Sequence, residues 1–163
     1  MRFNLLFRTT FLNLIFSLLI PFVSHTNELK YIFKSGSEGY NTFRIPTIIT
    51  TDSGVVLAFA EGRKNSSSDS GDIDLVLKRS TDGGKTWGDL IVIRDDSTNV
   101  CGNPSPVIDR KTGKIFLLST WNRGDDTESE IINMTSVDTR RVYVMNSIDE
   151  GLSLIHISEP TRH

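Results

Sequence analysis

From residue 29 to residue 147 the chain alternates short apolar, β-branched runs with clusters of Gly, Asp, Ser and Thr, and no long window repeats apolar residues at helical spacing. The runs predict strands at Tyr31–Lys34, Arg44–Thr50, Val55–Ala60, Asp74–Arg79, Leu90–Arg94, Pro106–Asp109, Lys114–Thr120 and Arg141–Asn146. Between them, Thr51-Asp52-Ser53-Gly54, Thr81-Asp82-Gly83-Gly84 and Arg110-Lys111-Thr112-Gly113 carry the glycine and aspartate that tight turns require. Regular strands with such turns predict an all-β chain: a sandwich, a barrel or a propeller. The polar segment Arg123–Arg140 reads as a loop or a short helix.

The two ends break this pattern. Arg2 and Arg8 precede an apolar stretch, Phe11 to Ile20, which Pro21 closes, and this reads as a secretory signal over residues 1–24. The stretch falls short of the roughly 20 apolar residues of a comfortable span, and an uncleaved membrane anchor is the alternative. An exported protein, periplasmic or extracellular, is therefore expected, touching a membrane only through that segment if it is not cleaved. At the other end, residues 152–163 (L-S-L-I-H-I-S-E-P-T-R-H) resemble translated sequencing-adapter read-through. They are read as a non-native tail, with a divergent terminus as the alternative. Residues 29–151 then form the domain.

Charge excludes one class of partner. With 18 basic and 20 acidic side chains and a formal charge of −2, the chain lacks the basic excess that neutralises phosphates, so no nucleic acid is expected. The single cysteine, Cys101, cannot form an internal disulfide. His25, His156 and His163 all lie in the leader or the tail, and Asp69, Asp72 and Asp74 do not follow calcium-loop spacing, so neither a metal nor another cofactor is expected. Gly84-Lys85-Thr86 imitates the end of a phosphate loop, but Arg79 stands where its first glycine belongs. Asn65-Ser66-Ser67 and Asn133-Met134-Thr135 are glycosylation sequons, meaningful only in a eukaryotic secretory route.

A repeat narrows the fold. Ser80-Thr81-Asp82-Gly83-Gly84-Lys85-Thr86-Trp87 spells S-x-D-x-G-x-T-W, and Ser147-Ile148-Asp149-Glu150-Gly151 repeats its Ser, Asp and Gly 67 residues later. In the intact copy Asp82 can accept from turn amides, Gly84 can take a positive φ, and Trp87 can pack under the hairpin. The pattern resembles the Asp box of β-propeller blades, with Ser80, Asp82, Gly84, Thr86 and Trp87 as its structural residues. The second copy, with Ser153 for Thr and Leu154 for Trp, is expected to fail where the suspect tail begins.

Upstream stands Phe43-Arg44-Ile45-Pro46. Pro46 lacks a donor and belongs at the start or edge of a strand, which puts Arg44 near a strand entrance with a planar fork to offer a carboxylate. F-R-I-P followed by an Asp box behind a secretion signal, together with Ala60-Glu61-Gly62-Arg63 and Ser66-Ser67-Ser68-Asp69, resembles the exo-sialidase (neuraminidase) family of six-bladed propeller glycoside hydrolases over Tyr40 to Gly151. The resemblance implies an exo-α-sialidase that removes terminal sialic acids from sialylated glycans or glycoconjugates.

Carried over by position, Arg44 matches the first arginine of the triad that clamps the substrate carboxylate, and Arg63 a supporting arginine toward the sugar's O4. Asp69 matches the acid/base aspartate on a mobile loop; Asp72 and Asp74 are its rivals, and spacing alone does not exclude Asp72. Cys101-Gly102-Asn103-Pro104 matches the start of the second blade's inner strand, with Asn103 either facing the substrate's substituents or capping a turn. Trp121 is either core or sugar platform. The family's tyrosine nucleophile, its glutamate partner and two triad arginines match nothing here, since Tyr31, Tyr40 and Tyr143 fit no such position. The resemblance thus implies about two blades of six, a truncated and inactive fragment with one wall of the active site. The alternative is a non-catalytic secreted Asp-box propeller that binds carbohydrate or protein.

Overall fold

In a computed structural model, residues 29–157 are described, and the described residues from Tyr31 onward belong to one compact unit, the second of the chain. The leader at residues 1–24 and the tail beyond Ile157 lie outside the described residues. The second unit holds β1 (Thr42–Thr50), β2 (Val56–Arg63), β3 (Ile73–Ser80), β4 (Ile91–Arg94), β5 (Val100–Ile108), β6 (Ile115–Asn122), α1 (Glu128–Ile132), β7 (Arg141–Ser147) and β8 (Ile155–Ile157). β1 to β4 form one antiparallel meander and β5 to β8 a second. Among the described residues, the two meanders pair at a single parallel bridge, Ile73–Val100. Two consecutive four-stranded meanders that do not close on each other are two propeller blades, as the all-β expectation required.

The side-chain period of two explains how the blades meet. β2 is buried along its whole length, so it faces apolar neighbours on both sides. Leu57 and Phe59 join Leu75, Leu77, Cys101, Ile115, Leu117, Trp121 and Met145 in the main core between the blades. Burying each of the large aliphatic or aromatic side chains contributes roughly 1.5–3 kcal/mol. Ala60 on the opposite face packs with Tyr40 and Val76 against Phe33, Phe43 and Leu90. Trp121 is therefore a core residue, and its Nε1–H donates to Asp96 at 2.5 Å.

Three expectations need correction. Tyr31–Lys34 is not a strand: Phe33 instead lays its ring 5.2 Å from Phe43, capping the smaller core. Of the two places expected for Pro46, the strand edge holds and the start does not, since it sits inside β1. It is tolerated there because β1 is an edge strand and is bulged between Arg44 and Thr47, where the ladder is already interrupted.

The third correction concerns the second Asp box, which folds. Ser147 Oγ donates to Asp149 at 2.7 Å and receives Gly151 N–H at 2.9 Å, while Ser153 donates its amide and hydroxyl to Asp149 at 2.9 and 2.5 Å. These bonds match, one for one, those among Ser80, Asp82, Gly84 and Thr86 in the first box. A serine hydroxyl replaces a threonine hydroxyl in this role, and Leu154, in the tryptophan's place, packs partly buried on the main core. Beyond it β8 pairs with β7.

Candidate active site

The site is built where the inner strands of the two blades lie side by side. β1 and β5 carry the same local irregularity: a bulge with a non-glycine residue of positive φ just before a proline. Ile45 has φ +52° and Asn103 φ +53°. That backbone is costly for a β-branched isoleucine, and such outliers persist where the surrounding structure fixes them. The two bulges, the end of β2 and the loop after it enclose a cavity of about 240 Å³, onto which Arg44, Ile45, Glu61, Arg63, Asp69, Val100 and Asn103 open.

Arg63 organises the cavity. Its side chain is only 3% exposed, and a buried cation needs full pairing. Its Nε and Nη2 donate to Glu61 Oε2 at 3.1 and 2.6 Å, its Nη1 to the carbonyls of Ser67 and Ser68 at 2.6 and 2.7 Å, and its Nη2 meets Asp69 Oδ1 at 2.7 Å. The serine run, expected as a mobile loop, is thus tied at its carbonyls by a buried guanidinium. Within the loop, Ser66 Oγ accepts from Ser68 N–H and Ser68 Oγ from Ser70 N–H.

Asp69 hangs from this loop with its side chain 63% exposed and receives Arg44 Nη1 at 3.1 Å. The Arg63 hydrogen bond, with the Arg44 and Arg140 charges behind it, holds the Asp69 carboxyl below its ordinary value against the opposing effect of burial.

Asp72 faces elsewhere. It meets Lys64 at 3.2 Å on the other side of the blade, where the same ammonium reaches Asp74 at 3.2 Å and Asp95 at 3.3 Å. Tyr40 donates its hydroxyl to buried Asp74 at 2.7 Å. Burial, then that hydrogen bond, pushes the Tyr40 phenol up, and burial raises Asp74. This buried polar knot anchors the blade and does not open on the cavity. Asn103 lines the cavity and donates its side-chain amide to Thr120 at 2.8 Å, so it does not cap a turn.

Three charged cavity residues escaped the sequence reading of the site. Glu61 shares a face with Arg63 through the i, i+2 spacing on β2 and stands opposite Arg44 in the register. That spacing of opposite charges on an otherwise apolar strand was the available signal. Glu128 and Arg140 arrive from residues 123–140. There α1 starts in a capping box at Thr127 and Glu130, buried Asp126 accepts Val137 and Asp138 amides at 2.9 and 3.1 Å, and Asn122 accepts Arg140 Nε at 3.1 Å. Nothing in a polar stretch without periodicity announces that placement.

The Asp-box residues Ser80, Asp82, Gly84, Thr86 and Trp87 stand at the far end of β3 from the Asp69 loop, and their bonds are internal to the turn. Gly84 has φ +87°, and half-buried Trp87 lies 3.8 Å from where its Cβ would be. They shape a hairpin, not the cavity.

The chain is similar to several sialidases. The exo-alpha-sialidase of Arthroderma benhamiae is 36% identical over 69% of this chain and 31% of its own length. Among solved structures, the Hadza microbial sialidase Hz136 superposes with a TM-score of 0.65 at 28% identity, over 78% of this chain and 29% of that one. The chain belongs to the sialidase family. A Trypanosoma rangeli sialidase in complex with sialic acid has the same fold, with a TM-score of 0.53 at 22% identity over 66% of this chain and 17% of its own. No family model matches the chain. The chain spans 31% of the Arthroderma sialidase and 32% of one from Aspergillus fumigatus, so it covers less than a third of the relatives' length. Two blades of a sialidase propeller fit that share.

Proposed function

We propose that this chain supplies one wall of the active site of an exo-α-sialidase, which hydrolyses terminal sialic acids of glycoconjugates. The observation that carries this reading is the convergence of Arg44 and Arg63 on Asp69 in one cavity. Arg44, 46% exposed, offers a guanidinium fork to the substrate carboxylate. Asp69 acts as acid and base at the glycosidic oxygen. Arg63 and Asn103 line the part of the cavity suited to the sugar's remaining substituents.

Asp69 rests ionised, yet a general acid must carry a proton. A substrate carboxylate taken up by Arg44 removes one cationic neighbour from Asp69 and adds a negative charge nearby, and both changes favour the protonated carboxyl. Substrate binding therefore prepares its own acid. After the leaving group departs, the carboxylate sits between the arginines again and can take a proton from water.

The chain by itself is inactive on this reading. Tyr31 is exposed, Tyr40 is committed to Asp74, and Tyr143 lies under the Arg94 guanidinium at 3.8 Å, so no tyrosine opens on the cavity to act as the nucleophile. The signal-like leader favours an exported protein. The test is turnover of a fluorogenic α-sialoside by the purified chain. None above buffer is expected, and turnover abolished by Asp69→Ala would contradict the inactive assignment while upholding the acid/base role.

A further inference from the structure

We propose that Glu61 is a positioning residue of this site: a buried carboxylate that fixes the Arg63 guanidinium of the first blade and the Asn103 peptide of the second, and so sets the cavity across the blade junction. Both oxygens are committed. Oε2 accepts Arg63 Nε and Nη2 at 3.1 and 2.6 Å, and Oε1 accepts the Asn103 backbone N–H at 2.8 Å. The residue is 3% exposed, so it offers a ligand almost no surface. It acts through the groups it holds.

The second blade is shaped to receive it. A Cβ on Gly102 would stand 2.4 Å from Glu61 Oε1, so only glycine lets the carboxylate reach the bulge. The next residue, Asn103, holds φ +53° and sends its N–H to that oxygen while its side chain lines the cavity. On the other side, Arg63 fixed at Glu61 keeps its remaining N–H groups for the Ser67 and Ser68 carbonyls and for Asp69. One carboxylate thus places the acid/base loop and the Asn103 wall relative to each other. A bidentate pair and a charged acceptor on a backbone amide are the stronger, more directional class of hydrogen bond.

The catalytic meaning of this role rests on the sialidase reading, but the geometry does not, so the test reads geometry. The Asp69 carboxyl is titrated by carbon-detected NMR in the unmutated chain, in Glu61→Gln and in Gly102→Ala. Five ionisable groups share the cavity around Asp69: Arg44 from β1, Glu61 and Arg63 from β2, Arg140 from the β6–β7 segment and Glu128 from α1. In Glu61→Gln a side-chain amide faces the Arg63 donors, and in Gly102→Ala a methyl pushes the carboxylate from the other side. Gly102→Ala keeps every charge and loosens Arg63, so it should raise the Asp69 midpoint by roughly one pH unit, whereas Glu61→Gln also removes a negative charge that acts the other way and is read at the Asn103 amide, whose signal should move in both. A purely structural Glu61 would lower the melting temperature and leave both signals at their original values in the folded protein, and that result overturns the proposal.

Should neither variant fold, the unmutated chain decides. Slow exchange of the Arg63 Nε proton supports the proposal, and exchange as fast as that of exposed Arg110 overturns it. If the signatures appear but the site never acts on a sialoside, the functional reading falls and the positioning role stands.

Discussion

Arg44 and Asp69 form an ion pair at 3.1 Å although 25 residues separate them in the chain. The β1 bulge turns Arg44 over the cavity, and the loop after β2, tied by Arg63, brings Asp69 to meet it. On the proposed reading the carboxylate clamp and the acid occupy each other, so a substrate carboxylate would separate them and link its own recognition to the protonation of the acid.

The same pair has a thermodynamic consequence. The Asp69 carboxyl is lowered in the folded chain, chiefly by its hydrogen bond with Arg63. A group depressed on folding adds stability that is fully present above its unfolded value, near 3.9, and is lost as pH falls through the folded value. Asp69→Asn should therefore lower the melting temperature at pH 7, and the gap to the unmutated chain should close as pH falls below about 3.9. Its size should stay modest, because the side chain is 63% exposed and solvent screens it. Thermal melts from pH 7 to pH 2 measure it, and a gap that widens toward acid contradicts the assignment.

The two Asp boxes should fail in the same way. Asp82 accepts the Thr86 amide and Asp149 the Ser153 amide, each at 2.9 Å. Asp82→Ala should expose the Thr86 amide to hydrogen exchange and leave Ser153 protected, and Asp149→Ala should do the reverse. Bonds from the Ser153 and Ser147 hydroxyls and the Ser153 amide lower the Asp149 carboxyl to about 2. Protection at Ser153 should therefore persist until the pH approaches that value. Loss of Ser153 protection near the ordinary carboxylate range would mean that the second turn is not closed as described.

Gly124 is the tightest of the glycines among the described residues. A Cβ there would stand 1.8 Å from the Thr98 carbonyl oxygen and 2.9 Å from that of Gly71, and backbone cannot swing aside as a side chain can. Its own carbonyl receives the Gly71 amide at 2.9 Å, which anchors the end of the Asp69 loop. Gly124→Ala should cost at least about 1–3 kcal/mol, the usual range for overpacking. Gly113→Ala meets open space and carries only the cost of its positive φ, about 1–2 kcal/mol. Urea unfolding of the two variants ranks them, and equal midpoints would refute the backbone clash.

Most of the fold was legible because its signals are local. β-branched runs and turn chemistry locate seven of the strands, and the S-x-D-x-G-x-T-W repeat identifies blades. The inner strand β5 begins at Val100, six residues before the position its apolar pattern suggests; Cys101-Gly102-Asn103-Pro104 has the composition of a turn and becomes a bulge, so the family resemblance, not the pattern, places it at the start of that strand. Arg44, Arg63, Asp69 and Asn103 were found from motifs and do share one cavity. Glu61 was quoted as part of A-E-G-R but given no role, since its partners include a peptide 42 residues away that only the blade junction brings near. Arg140 was out of reach for a similar reason: Asn122 and Asp126 position its segment through contacts that no periodicity records.

The central claim is that this segment carries the acid/base and one wall of a sialidase site. It is tested most directly by exchanging residues 42–147 for the matching segment of the Arthroderma benhamiae exo-alpha-sialidase and measuring turnover of a fluorogenic α-sialoside. The chimera should be active, Asp69→Ala should reduce its rate by about 10²–10⁴-fold, as loss of a positioned acid/base does, and Asp72→Ala should leave it within a few-fold. An active chimera whose rate survives Asp69→Ala contradicts the account.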